Sequence, residues 1–128
     1  MQKRILVIDD EPMVARVIAR LLSRDHAVTA VHSAHDALAL ISAGEHFDAI
    51  VCDLAMPEMD GSELYQHLVR TAPELAAAMI FVSGGANTPA LQRFHDDPPT
   101  VLVAKPFDPA TLLALVNRVL ACPSLPRR

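Results

Sequence analysis

Hydrophobic positions along this chain alternate between two rhythms. Ile5, Leu6, Val7 and Ile8 follow one another without a polar interruption, the pattern of a strand buried on both faces. Asp9-Asp10-Glu11-Pro12 breaks the run. Pro12 suits the first turn of a helix, and Asp10 or Glu11 would cap that helix or favour its positive end. Val14, Val17, Ile18 and Leu21 then recur at helical spacing, which predicts an amphipathic helix with that stripe against a core. The alternation continues with a strand at 28–31, a helix at 34–43 stopped by Gly44, a strand at 49–53, a loop at 56–61 and a helix at 62–70. Next come a strand at 79–82, a short helix at 88–95 ended by Asp96-Asp97-Pro98-Pro99, a strand at 101–104, and a last helix marked by Leu112, Leu115, Val116 and Val119. Strands that alternate with helices predict an α/β domain with a parallel sheet covered on both faces, because parallel strands need right-handed crossovers.

Composition narrows this picture. The 128 residues suffice for one domain, which we expect to span 1–121 with 122–128 as a disordered tail or linker. At 52% hydrophobic and 20% charged, the chain is too apolar for disorder. Its longest clean apolar stretch, 75–82, is far shorter than a membrane span, and the acidic residues at 9–11 come too soon for a signal peptide. A formal charge of −4, 4% aromatics and no Trp argue against nucleic-acid binding and base stacking. Cys52 and Cys122 make no disulfide framework, so a cytoplasmic setting is expected. His32 and His35 read as solvated loop residues rather than zinc ligands.

The chemistry lies where the strands end. Asp9 and Asp10 close the first strand, Asp53 the third, Ser83 the fourth, and Lys105 follows the fifth. In open parallel sheets, reactive groups gather at the carboxyl ends of the strands. If the first and third strands are neighbours, three carboxylates converge. Two unit charges about 4 Å apart repel by roughly 4 kcal/mol at an effective dielectric near 20, so protons or a cation must relieve them. Hard oxygen donors with open water positions suit Mg²⁺. Lys105 supplies a fixed positive charge and Ser83 a hydroxyl donor, the parts of a site that stabilises a phosphoryl group. An aspartate carboxylate can accept that group covalently.

The ordered set of Asp9-Asp10, Asp53 before Met56-Pro57-x-Met59-Asp60-Gly61, Ser83, and Lys105-Pro106-Phe107 resembles that of two-component response-regulator receiver domains over nearly the whole chain. The resemblance, not the residues alone, implies a single flavodoxin-like, doubly wound (βα)5 domain with strand order 2-1-3-4-5. It implies that Asp53 is the phosphoacceptor and that Asp10, Asp53 and the backbone carbonyl of Ala55 bind Mg²⁺, with Asp9 assisting through water. Lys105 would pair with the phosphoryl group, Ser83 would move to hydrogen-bond it, and the Lys105–Pro106 bond would be cis. The phosphoryl donor would be a histidine kinase or histidine phosphotransfer protein, and the outcome a population shift that changes binding to an output partner. The chain departs from the family at Leu102, where Tyr or Phe is common, at Ala55 and Gly85, which bring no polar side chain toward an attacking water, and at 96–99, which replace a common Gly-Ala link.

Plainer readings stand beside these. Asp9-Asp10 alone reads equally as a helix cap, Asp53 alone as a turn residue, and Ser83-Gly84-Gly85 alone as a plain turn. Cys52 and Phe107 read as packing residues. Arg16, Arg20 and Arg24 recur every four residues, either as a solvated face or as a docking stripe for an acidic kinase surface. The sparsely charged last helix fits burial better than a homodimer surface. An aspartate-nucleophile phosphatase is the alternative function, although its usual Asp-x-Asp pair on the first strand is missing. A flavodoxin-like nucleotide binder is disfavoured by an acidic first loop that repels phosphate. The chain is expected to be either a free-standing receiver or the receiver of a hybrid histidine kinase.

Overall fold

A computed structural model of the chain describes residues 2–83, 102–104 and 107–121. Five strands, β1 (Arg4–Ile8), β2 (Ala27–Val31), β3 (Ala49–Asp53), β4 (Met79–Ser83) and β5 (Leu102–Ala104), form one sheet in the order β2-β1-β3-β4-β5. Every pairing is parallel. Among the described residues the helices are α1 (Pro12–Leu22), α2 (Ala34–Ser42), α3 (Gly61–Thr71), a four-residue α4 (Pro73–Ala76) and α5 (Pro109–Ala121). The fold class and strand order are those expected. The sequence reading did not include α4. The expected helix at 88–95, the Lys105–Pro106 bond and the tail lie outside the described residues.

The sheet feeds two cores because successive side chains on a strand point to opposite faces. Ile5, Val7, Val51, Ile80 and Val82 pack with Ala15, Ile18 and Leu22 of α1 and Leu112 and Val116 of α5. Leu6, Ile8, Ile50, Cys52, Met79 and Phe81 pack on the other side with Ala34 and Ala37 of α2 and Leu64, Tyr65 and Leu68 of α3. There Tyr65 meets Phe81 edge to face, with ring centroids 5.8 Å apart, an arrangement favoured by the ring quadrupoles. Phe107 packs against the α1–α5 core. The central strands β3 and β4 are buried throughout, whereas β2 is a half-exposed edge.

Two expectations for α1 need correction. Ile18 is buried and Val14 and Leu21 pack against the core as expected, joined by buried Ala15 and Leu22, but Val17 is 52% exposed. Residues 14, 15, 18, 21 and 22 share the face toward the sheet, and at 3.6 residues per turn Val17 falls at its rim. Nor do Asp10 or Glu11 cap the helix: Glu11 occupies the N-cap without a side-chain capping bond, and Pro12 opens the helix. The Glu11 N–H instead donates to the Asp9 carboxylate at 2.9 Å.

Other ends follow local rules. Ser33 caps α2 by accepting from Asp36 N–H, and Gly44, at φ +94°, ends it in the left-handed region that glycine tolerates. His35 lies in the first turn of α2 rather than in a loop. Asp60 and Glu63 form a reciprocal capping box at the start of α3. At the opposite end of the sheet, the Asp48 carboxylate accepts from Arg4 N–H at 2.9 Å and from His46 at 3.1 Å. The Arg4 guanidinium pairs with Glu45 and lies 5.2 Å from the centre of the Phe47 ring. The Arg4 N–H bond is the largest cause holding the Asp48 carboxyl below the usual carboxylate range; burial opposes it, and the His46 contact and the charges of His46 and Lys3 add to the lowering.

Candidate functional site

The carboxyl ends of β1 and β3 are adjacent because these strands pair directly, with Ile8 opposite Cys52. Asp9 therefore leaves β1 beside Asp53, the last residue of β3. Asp9, Asp10 and Asp53 each offer one carboxylate oxygen, and these oxygens all lie within 4.8 Å of one another. Asp9 and Asp53 are buried, at 1% and 4% exposure, while Asp10 is half-buried. Ser83, 5% exposed, ends β4 one step beyond Val82, the partner of Asp53. Its own partner on β5 is Ala104. Lys105, the next residue in the sequence, lies outside the described residues, as does Gly85.

The backbone around Asp53 is tightly specified. Leu54 N–H donates to Val82 O at 3.0 Å, and Ala55, on the exposed surface, donates its N–H to Asp53 Oδ1 at 3.4 Å. Gly61 N–H donates to Leu54 O at 2.9 Å, which lays the start of α3 against the end of β3. A Cβ at Gly61 would stand 2.8 Å from Asp53 O and 3.0 Å from Leu54 Cα, both backbone atoms. Asp60 anchors the same turn by accepting from Ser62 Oγ at 2.7 Å and Glu63 N–H at 2.9 Å. Met56 and Leu54 are buried beneath the loop, and Glu58, at φ 69°, turns it toward α2, where its carboxylate lies 3.6 Å from His35.

Cys52 adjoins Asp53 but does not share its chemistry. It is fully buried and its thiol donates to Asp53 O at 3.3 Å. Burial first, then the charges of Asp53, Asp9 and Asp60, push the thiol well above its ordinary range. It therefore stays protonated and non-nucleophilic.

The donor set selects a class of ion. Three carboxylate oxygens, with no nitrogen or sulfur donor among the grouped residues, are hard ligands, and the partly open Asp10 leaves room for water and for anionic oxygens. That chemistry fits Mg²⁺ better than zinc. Sequence reasoning missed two residues that shape this pocket. Gly61 stood in a quoted motif without a steric role. His32, whose Nδ1 lies 3.1 Å from Asp9 O, follows an edge strand and carries no sequence signal for that contact. The capping box was legible as Asp60-x-x-Glu63.

The family model for the response regulator receiver domain matches residues 5–117. Sensor kinase CckA of Brucella abortus (strain 2308) is 33% identical over 118 residues, which cover 91% of this chain and 12% of that protein. Transcriptional regulatory protein TcrA of Mycobacterium tuberculosis (strain ATCC 25618 / H37Rv) is 30% identical over 127 residues, 97% of this chain and 48% of that protein. The chain thus spans less than half the length of either. Among solved structures, a CheY-like response regulator receiver domain protein from Methanospirillum hungatei JF-1 superposes with a TM-score of 0.83 at 25% identity, covering 94% of this chain and 95% of that one.

Proposed function

The chain belongs to the response regulator receiver domain family, and we propose that it acts as a phosphoacceptor switch in which Asp53 receives a phosphoryl group from a phosphohistidine. The observation that carries this reading is the convergence of Asp9, Asp10 and Asp53 at adjoining strand ends. An oxygen of Asp53 forms the new P–O bond as the P–N bond of the donor breaks. The imidazole nitrogen leaves with the electron pair and takes up a proton. Mg²⁺ held by Asp9, Asp10, Asp53 and the carbonyl of Ala55 would neutralise charge on the phosphoryl oxygens. Lys105 and Ser83 complete the proposed set, as counter-charge and hydroxyl donor. Little covalent chemistry is asked of the domain beyond positioning and neutralisation. The acyl phosphate hydrolyses in water, so the signal ends by itself.

The donor in this proposal is a histidine kinase or histidine phosphotransfer protein. Exposed Arg16, Arg20 and Arg24, beside exposed Met13 and Val17, give α1 and the turn after it a basic, partly apolar outer surface that supports docking to an acidic partner. Both a receiver within a larger kinase and a free-standing regulator remain within the proposal. The free, buried Cys52 is in keeping with a reducing cytoplasm. No helix among the described residues is long and apolar enough to cross a membrane.

Incubation with Mg²⁺ and acetyl phosphate, followed by intact mass measurement, tests the acceptor. Wild type should carry a phosphoryl adduct and Asp53→Asn should not. An adduct of equal yield in both would overturn the assignment, and sustained turnover of an external phosphoester would point to a phosphatase instead.

A further inference from the structure

Asp9 is tied to β2 through its backbone as well as to the pocket through its side chain. Its N–H donates to Val31 O at 3.2 Å, and its carbonyl oxygen lies 3.1 Å from His32 Nδ1. A carbonyl oxygen can only accept, so Nδ1 carries the proton in this contact. Both the Nδ1–H tautomer and the imidazolium supply it. That carbonyl belongs to the peptide unit whose nitrogen is Asp10's, so a bond to it fixes the plane from which Asp10 departs. The Asp9 carboxylate in turn accepts from Glu11 N–H at 2.9 Å. The turn carrying two of the three clustered acids is thereby tied to β2 on one side and to the N-cap of α1 on the other.

We propose that His32 is a positioning residue for the cation site: its Nδ1–H orients the Asp9–Asp10 peptide so that both carboxylates meet Asp53 around one divalent ion. This rests on reading Asp9, Asp10 and Asp53 as a cation site. His32 acts through the backbone and touches neither the ion nor the phosphoryl group. Groups that orient metal ligands commonly change metal affinity by about 10–100-fold. This bond reaches a backbone oxygen from an exposed side chain, so a smaller effect, roughly three- to tenfold, is expected.

Calorimetric titration of Mg²⁺ into wild type, His32→Ala, His32→Asn and Asp10→Asn, with thermal midpoints measured in chelator, tests it. The amide nitrogen of Asn stands near where Nδ1 stands and can donate the same bond. The expected result is weaker Mg²⁺ binding in His32→Ala, near-wild-type binding in His32→Asn, and unchanged midpoints in chelator for both. Asp10→Asn should lose most binding. If His32→Ala binds like wild type while Asp10→Asn does not, the role of His32 is overturned and the cation reading stands. Failure of wild type to bind Mg²⁺ removes both. Equal weakening in His32→Ala and His32→Asn, or midpoints that fall in parallel with affinity, overturns the hydrogen-bond role.

Discussion

Single atoms decide the behaviour of the acidic pocket. Three carboxylate oxygens within 4.8 Å of one another repel by at least about 3.5 kcal/mol per ionised pair at an effective dielectric near 20. Asp53→Asn removes one charge and keeps an oxygen to accept from Ala55 N–H. In chelator, this variant should unfold at higher urea than wild type, by on the order of 1–2 kcal/mol after screening. Added Mg²⁺ should stabilise wild type more than the variant, and a variant less stable than wild type in chelator would contradict the repulsion. Gly61 makes the opposite case, since an added methyl must displace either Asp53 O or Leu54. Gly61→Ala should lose about 1–3 kcal/mol by overpacking and should form the acetyl phosphate adduct more slowly. Urea titration and a mass time course check the two effects.

At the scale of elements, the sequence was most readable where burial is complete. β1, β3 and β4 are near-continuous apolar runs because both of their faces are covered, and their acidic or hydroxyl ends marked the pocket. Helix faces were less readable. In α1 the stripe was right at Val14, Ile18 and Leu21 and wrong at Val17, while the small Ala15, which hydrophobic size alone does not flag, is fully buried. The contact from His32 depends on strand register, which no local pattern encodes. The role of Gly61 depends on a close approach between β3 and α3 that only the folded chain contains. The connection from α2 to β3 adds a pH-dependent element. The Asp48 carboxyl is held below its ordinary range, so its ionised form favours the folded state. That contribution is complete above the unfolded value, near pH 4, and is lost as pH falls through the lower folded value. Asp48→Asn should therefore lower stability at neutral pH and flatten the acid limb of the stability curve, as measured by denaturation from pH 7 to pH 2.

The molecule as a whole keeps its charged groups on separate surfaces. The acids stand at the carboxyl edge of the sheet, the Arg4–Asp48 network at the opposite edge, and the arginines on the outside of α1 and the turn beyond it. Reversing Arg16 and Arg20 to Glu should leave adduct formation from acetyl phosphate unchanged. It should slow transfer from a phosphorylated protein donor by about tenfold or more at low salt, an effect that shrinks as ionic strength rises. Parallel rate measurements with the two donors check this, and equal slowing with both would remove the docking role.

Cys52 lies at the middle of the sheet, one residue from Asp53, with no solvent exposure. A thiol sealed in that position can serve as a clock. With Cys122 replaced by Ser, an alkylating reagent can reach the remaining sulfur only when the core between the sheet and α2 and α3 opens. Labelling should then follow opening of that core rather than fraying at the sheet's edges. Any ligand that steadies the pocket should slow the clock, which gives a chemical measure of occupancy that requires no phosphoryl transfer.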